Sequence, residues 1–385
     1  MPDVVLTNAR IVLPDEVIVG SVLIRNGLIA DISGGTAQGD DLEGDYLIPG
    51  LVELHTDHLE GHYAPRPKVR WNPVASVLAQ GAQVATAGIT TVFDALRVGM
   101  DEDAEIGVDD MRRLADAIED GMRADRLRAG HFIHLRCEVS APDCRRGFSF
   151  FEDDGRIRLV SLMDHAPGQR QFASLDAYAA YYMGKLRMWE GASRPYCKRR
   201  TDQSPPNSPG NRRYISHHCR ERNIVLASHD DATEAHVEEA VAQGIRVAEF
   251  PTTMTAARAS NAAGLSVLMG APNVVRGGSH SGNVSARELA EAGVLDILSS
   301  DYIPFSLIQS AFFLGEAVDA VSLPEAIRMV SKTPAESVGL DDRGAIEIGR
   351  RADLVRVRVD AHVPIVRTVW RGGGGGARRA GPPPG

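Results

Sequence analysis

The sequence has no apolar run that approaches the roughly 18 residues of a membrane-spanning helix. Its first residues, MPDVVLTNARIVL, place no basic segment ahead of an apolar stretch, so no secretory signal is expected and the cytoplasm is favoured. Cysteine is scarce, and its four residues show no CxxC spacing. Free thiols are therefore expected rather than a disulfide framework or a zinc knuckle.

Basic residues are also in deficit. Lys and Arg number 42 against 51 Asp and Glu, and the net charge of −9 argues against nucleic acid as a partner. The 43% hydrophobic and 24% charged content is that of an ordinary globular protein, and 385 residues suffice for one large and one small domain. Because an acidic protein must concentrate cations locally to bind an anionic substrate, local basic clusters are informative.

Eight short apolar runs, each rich in Val, Ile and Leu, occupy the middle of the chain. They are LIPGLVELHTD, ITTVFDA, HFIHLRCE, RLVSLMDH, NIVLASHDD, IRVAEFPTT, LSVLMGAPN and DILSSDY. Helical patterns such as DDMRRLADAIEDGMRAD and TEAHVEEAVAQG lie between several of them. Strands alternating with helices predict a parallel sheet buried on both faces, and the count predicts an α/β fold with a TIM-like (β/α)₈ barrel over residues 49–343.

Short β patterns occupy both ends of the chain. VVLTNARIVL and SVLIRNGLIADI lie near the start, and ADLVRVRV and HVPIVRTVW near the end. Because domain termini often lie close together, we predict a small β-sandwich domain from residues 1–48 and 344–371. The basic, proline-rich segment 194–213 is predicted to be an irregular loop. The Gly- and Pro-rich tail 372–385 cannot bury a core and is expected to be disordered.

Ionisable residues end most of the barrel runs, and in this fold those ends share one face. His55 and Asp57, two apart in a strand, point to the same side. The pair could instead cap the next helix, but that alternative weakens because similar donors recur. Those donors are Glu138, Asp164, His165, His229, Glu249 and Asp301. Imidazole and carboxylate together suit Zn²⁺, Mn²⁺ or Fe²⁺, so a divalent metal site is predicted.

Two segments have the composition of phosphate-binding loops. In APRPKVRW, prolines stiffen a loop that carries three cations. In VVRGGSHSGNVSARELAEAG, glycines precede Ser285 and Glu288, whose capping-box spacing predicts a helix start able to face phosphate. The candidate substrate ligands are Arg66, Lys68, Arg70, Arg136, Arg170, Arg276, Gly277, Gly278 and His280. The alternative is that these are ordinary basic loops and a glycine-rich turn.

The strand-end motifs resemble a known family. PGLVELHTD, a histidine after the fifth run and SSD in the eighth are similar to the amidohydrolase superfamily of metal-dependent hydrolases. More narrowly, ELHTDHLEGHYAPRPKVRW, HLRCE, SLMDHAPGQRQF, LASHDDATEAHV and VLMGAPNVVRGGSHSGNVSA resemble its α-D-ribose 1-methylphosphonate 5-triphosphate diphosphatase branch, which belongs to the carbon–phosphorus lyase pathway. The similarity extends from about Val4 to Trp370.

The resemblance implies roles for individual residues. His55 matches the first histidine of the superfamily's HxH motif, and Asp57 replaces the second. His229 matches the strand-five histidine, and Asp301 matches the aspartate that orients or deprotonates the attacking water. The carboxylated lysine of strand four is missing, and Glu138 is the best substitute for it as a bridging and catalytic carboxylate.

At strand six the usual histidine is replaced by Glu249. These departures leave open whether one or two metal ions bind per subunit. Zn²⁺ is the expected ion, and the carboxylate-rich set also suits Mn²⁺ or Mg²⁺. Asp164, His165 and Glu249 are the secondary candidates for ligands.

The implied reaction is hydrolysis of the sugar 5-triphosphate to 5-phospho-α-D-ribose 1-methylphosphonate and pyrophosphate, in phosphonate catabolism. A small phosphorylated sugar phosphonate is thus the expected partner, and neither nucleic acid nor a membrane is. Homo-oligomerisation and association with other carbon–phosphorus lyase pathway proteins stay open. Two alternatives remain: an amidohydrolase acting on a cyclic amide or N-acetyl sugar, and a catalytically dead barrel scaffold. Asp57 and Glu249 in place of His argue against the first, and His55, His229 and Asp301 against the second.

Overall fold

The computed structural model describes residues 3–100, 102, 104–170, 190–278, 283–372 and 378–379. Its strands are β1 (Val4–Val12), β2 (Val17–Arg25), β3 (Leu28–Gly34), β4 (Asp40–Asp41), β5 (Tyr46–Pro49), β6 (Leu51–Thr56), β7 (Ile89–Val98), β8 (Gly130–Glu138), β9 (Ile157–Met163), β10 (Val225–His229), β11 (Val247–Glu249), β12 (Ser266–Gly270), β13 (Ile297–Ser299), β14 (Leu354–Asp360), β15 (Val363–Arg371) and β16 (Arg378–Arg379).

Helices follow most barrel strands. In the described residues they are His58–Tyr63, Pro73–Thr86, Val108–Arg123, Cys144–Ser149, Glu190–Glu221, Glu234–Gln243, Met254–Ala262, Ala271–Arg276, Ala286–Glu291, Ser306–Ala317, Leu323–Met329 and Lys332–Ser337. The helix Ala286–Glu291 begins with the predicted capping box of Ser285 and Glu288. Gly277, with a φ of 79°, ends the helix Ala271–Arg276 in the left-handed conformation that glycine adopts without a steric cost.

Strands β6 to β13 form the predicted (β/α)₈ barrel, and each pairs in parallel with the next in chain order. Each of the eight apolar runs supplies one strand. The barrel closes between β6 and β13 through a single bridge, Thr56 to Asp301. Because every strand points the same way, the carboxyl ends of all eight lie on one face, and the predicted metal ligands lie at those ends.

The second sheet joins the two termini in the order β16-β15-β14-β5-β1-β2-β3, with β4 beside β1. Its core includes Leu6, Ile11, Leu47 and Trp370, so both ends of the chain contribute to one apolar cluster. Between β2 and β3, Asn26 and Gly27 both have a positive φ, as a type I′ hairpin turn requires. A barrel beside a small β domain built from both termini confirms the predicted fold class.

Segment 194–213 is helical, and the loop prediction was wrong. It lies within the helix Glu190–Glu221, which contains four prolines. Its buried residues recur every three or four positions and include Arg200, Ser204, Ser208, Asn211, Ile215 and Cys219. This stripe packs on the barrel through hydrogen bonds, such as the one that Asn211 donates to Val139 O at 2.9 Å. The buried face is largely polar, so no hydrophobic periodicity revealed the helix.

The predicted disordered tail lies largely outside the described residues, which include only residue 372 and β16 of that segment. Among the helices of the described ranges, none combines the length and apolar character that crossing a membrane requires.

Candidate metal centre

Three buried side chains from separate strand ends converge at the barrel mouth. His55 Nδ1 lies 2.9 Å from Glu249 Oε1, and the rings of His55 and His229 are 5.7 Å apart. Potential ligand atoms of these three residues all lie within 4.8 Å of one another. Two ligands of one zinc ion, each bound at about 2.1 Å, are at most about 4.2 Å apart. A small contraction of the site would therefore let the three hold one divalent ion, and two imidazoles with a carboxylate suit a transition metal.

A second group shares His229. His165, His229 and Asp230 also have ligand atoms within 4.8 Å of one another. Asp230 Oδ2 is 2.8 Å from His229 Nδ1 and 3.4 Å from His165 Nε2. Asp230 directly follows His229 in the motif SHDD, and sequence analysis did not select it.

The other predicted ligands lie near these groups but outside both. Asp57 accepts a hydrogen bond from Arg136 Nη1 at 3.2 Å. Asp164 accepts one from Ser204 Oγ at 2.8 Å. Asp301 lies at the barrel seam, where its backbone N–H donates to His55 O at 3.1 Å and its φ is 54°. Glu138 is buried at the end of β8.

Glu138 is surrounded by donors. Its oxygens lie 2.7 Å from His165 Nδ1 and 3.2 Å from Arg200 Nη2. Burial opposes ionisation, but the charge of His165 and its hydrogen bond, with Arg200, lower the pKa of Glu138 to about 2. Although burial disfavours the imidazolium of His165, Glu138 and Asp230 raise its pKa to about 9. In this arrangement Glu138 acts as the partner of two cations.

His134 and Ser161 complete the floor of the site and were missed from the sequence. His134 Nδ1 donates to Leu54 O at 2.9 Å, and its Nε2 lies 2.5 Å from Ser161 Oγ. Ser161 Oγ in turn lies 2.5 Å from Glu249 Oε2. The sequence could have indicated His134, because side chains two residues apart share a face of a strand. Residues 134, 136 and 138 therefore lie on one face of β8.

Burial determines the charge of the central imidazoles. It lowers the pKa of His55 well below its usual range, and the positive charge of Arg136 acts in the same direction. Burial likewise lowers the pKa of His134 to about 3. Both are therefore neutral near pH 7, and a neutral imidazole is the form that binds a metal.

Arg136 supplies a fixed positive charge at the mouth. Its side chain is 16% exposed, and its buried Nε has no hydrogen-bond partner among the described residues. Burial opposes the charge, but Asp57, Glu60 and Asp301 raise the pKa of Arg136. A guanidinium with an unused N–H beside the metal ligands is suited to an anionic substrate group.

The remaining predicted phosphate ligands differ in exposure and in whether an acidic side chain already pairs with them. Arg66 and Lys68 are exposed, and Arg70 Nη1 lies 3.2 Å from Glu105 Oε1. Arg170 is 5% exposed and forms ion pairs with Asp231 and Glu239.

Arg276 and Gly277 are exposed, Gly278 is half-buried, and His280 lies outside the described residues. The helix that follows has six residues. Two of its N–H groups are already bonded, Glu288 N to Ser285 Oγ and Ala286 N to Asn273 Oδ1. Fewer donors therefore remain for phosphate than its sequence suggested.

A (β/α)₈ barrel with imidazoles and carboxylates at its strand ends, beside a β domain from both termini, is similar in architecture to hydrolases of the amidohydrolase type. The model of the amidohydrolase family matches residues 213–373. N-acetylglucosamine-6-phosphate deacetylase from Pasteurella multocida has a TM-score of 0.62 at 13% identity, over 96% of this chain and 98% of that one. For 5-methylcytosine deaminase from Klebsiella pneumoniae the TM-score is 0.64 at 16% identity, over 95% of this chain and 96% of that one. These structures share the fold.

Among proteins of known activity, alpha-D-ribose 1-methylphosphonate 5-triphosphate diphosphatase from Escherichia coli is 44% identical over 374 residues, which cover 96% of this chain and 99% of that protein. The chain therefore belongs to the family of alpha-D-ribose 1-methylphosphonate 5-triphosphate diphosphatases.

Proposed function

We propose that this protein hydrolyses the α–β phosphoanhydride of α-D-ribose 1-methylphosphonate 5-triphosphate. The products are 5-phospho-α-D-ribose 1-methylphosphonate and pyrophosphate, in phosphonate catabolism, and we assign the reaction to the cytoplasm. The observation that carries the proposal is 44% identity across nearly the whole of both chains, barrel and small β domain alike.

One divalent ion, zinc in the first instance, would be held by His55, His229 and Glu249, whose donor atoms already converge. His165, Asp230 and His229 offer a place for a second ion, which would have to displace the proton that Glu138 and Asp230 favour on His165. Asp57 and Glu138 stay candidate ligands, because small movements of their side chains would bring the carboxylates to the ion. When bound, such an ion supplies Lewis acidity and a source of nucleophilic water at neutral pH.

Asp301 is assigned the role of general base. Its backbone is fixed to β6 on both sides, because its N–H donates to His55 O at 3.1 Å and its C=O accepts from Asp57 N at 3.3 Å. The carboxylate is thereby held at the mouth, where it accepts a proton from the attacking water. Tight placement of the base matters because a 1 Å error in such groups costs about 10²-fold in rate.

Arg136 is assigned to the triphosphate. Its position beside Asp57 at the mouth and the partial exposure of its side chain let the guanidinium pair with phosphate oxygens as negative charge develops on the leaving pyrophosphate. Arg66 and Lys68, which are exposed on the loop after the helix His58–Tyr63, are assigned to the outer phosphates. These cations would allow an acidic protein to bind an anionic substrate.

The test combines metal analysis with a pyrophosphate-release assay on the purified protein. Stoichiometric divalent metal and pyrophosphate release from the sugar triphosphate are expected. Hydrolysis of a cyclic amide or an N-acetyl sugar without pyrophosphate release would instead support the amidohydrolase alternative. Absence of turnover after reconstitution with Zn²⁺ or Mn²⁺ would support the scaffold alternative.

A further inference from the structure

The seam between β6 and β13 has weak backbone pairing. The other neighbouring barrel strands share ladders of at least three residue pairs, whereas β6 and β13 share one isolated bridge, Thr56 to Asp301. Lower in β6, Val52 N donates to Val330 O at 2.9 Å, outside β13. This seam carries His55 on one side and Asp301 on the other, and the two backbone hydrogen bonds of Asp301 join it to β6 only at the upper end, so a further contact across the seam would add rigidity.

Glu53 bridges the seam with its side chain. It is fully buried, its Oε1 accepts from His55 N at 2.6 Å, and its Oε2 accepts from Ser300 N at 2.5 Å. One carboxyl group thus binds the backbone of the metal-ligand residue on β6 and the backbone adjacent to Asp301. Both of its oxygens retain lone pairs whether or not the acid is ionised, so both bonds persist in either protonation state.

We propose that Glu53 is a positioning residue, which reinforces the placement of His55 relative to Asp301 by joining the two sides of the seam through the backbone amides of His55 and Ser300. The inference rests on the proposed function in assigning those two residues to the reaction. Glu53 belongs to neither group of potential metal ligands among the described residues. Its chemistry is specific, because glutamine of nearly the same shape has only one acceptor and turns an N–H donor towards one of the two amides.

The test compares Glu53→Gln with a matched control, Asp94→Asn. Asp94 is equally buried on the neighbouring strand β7, where its carboxylate accepts from His131 Nδ1 at 2.7 Å. Asp94→Asn likewise alters a buried carboxylate, but within the described residues the hydrogen bonds of that carboxylate are to His131 and Gln80, neither of which is a candidate metal ligand. Three quantities are measured on both proteins: kcat and KM for pyrophosphate release, the zinc dissociation constant, and hydrogen exchange of metal-free protein in peptides that contain His55 and Ser300.

For Glu53→Gln we expect kcat to fall about 10²-fold with KM changed less than about threefold, which is the loss that a misplacement of about 1 Å causes. Zinc should bind more weakly, and exchange should accelerate in the seam peptides. Asp94→Asn should retain the wild-type kcat and seam exchange. Equal kcat and equal seam exchange in Glu53→Gln and wild type would overturn the inference.

The two proposals can fail separately. If wild type releases no pyrophosphate, the proposed function is wrong, while hydrogen exchange and zinc affinity still decide the role of Glu53. If wild type is active and Glu53→Gln matches it, only the positioning role is lost.

Discussion

Arg170 can be interpreted as a phosphate ligand or as the partner of a buried carboxylate, and its ion pair with Asp231 allows an experiment to separate the two. The sequence predicted Arg170 as a phosphate ligand after β9, whereas the structure buries it against Asp231 and Glu239. Burial and the neighbouring charge of Arg212 lower the pKa of Arg170 to about 9, so it stays protonated at pH 7. Asp231 is 1% exposed, and its Oδ2 has no partner among the described residues. Arg170 is thus its principal neutralising contact.

The expected cost of Arg170→Met follows from that burial. Removing one partner of a buried pair leaves an uncompensated charge and costs about 3–5 kcal/mol. Glu239 is 44% exposed, so its share is small, about 0–1 kcal/mol. We expect Arg170→Met to lower the free energy of unfolding by about 3–5 kcal/mol in denaturant titration, and Glu239→Gln by less than about 1 kcal/mol.

The double variant Arg170→Met/Asp231→Asn isolates the electrostatic part. Because the double variant also removes the unpaired charge of Asp231, it should be more stable than Arg170→Met alone. The coupling energy between Arg170 and Asp231 is then given by the double-mutant cycle. The KM for the triphosphate should change little in the folded fraction of Arg170→Met. A large rise in KM at unchanged stability would refute this reasoning and make Arg170 a substrate ligand.

Three further outcomes are expected. Asp301→Asn should keep its metal content but lose most turnover, and a near-wild-type kcat would remove Asp301 from the mechanism. Chelation should abolish pyrophosphate release, with Zn²⁺ or Mn²⁺ restoring it; activity that survives complete metal removal would exclude a metal-dependent reaction. Asp154→Asn should cost about 1.5–3 kcal/mol at pH 7, because Arg156 Nε and Arg112 Nη2 lie 2.7 and 2.8 Å from its carboxylate. Burial opposes ionisation of Asp154, but Arg156 lowers its pKa below 3.8, so this stability is present above pH 3.8 and is lost as the pH falls through the folded pKa. A difference between the two proteins that already vanishes near pH 6 would contradict that assignment.

Local patterns predicted the barrel because its strands are buried on both faces and so appear as continuous apolar runs. The same logic placed His55, His229 and Glu249 on one face, since the carboxyl ends of parallel strands share an edge. The helix Glu190–Glu221 was missed, because its buried face is polar and four prolines interrupt the sequence. Tertiary hydrogen bonds, including Arg200 to Ser140 at 2.7 Å, replace the hydrophobic stripe that marks most helices.

The sequence by itself determined the barrel strands, their parallel arrangement and the face on which the chemistry lies, because these follow from periodicity and chain direction. Only the tertiary structure decided which donors meet and which are neutralised. Glu138 faces His165 and Arg200, and Asp57 faces Arg136, contacts that chain spacing does not reveal for these two candidate metal ligands. The physical reason is that pairing of buried charges depends on distances of a few ångströms between residues far apart in the chain, which no local pattern encodes.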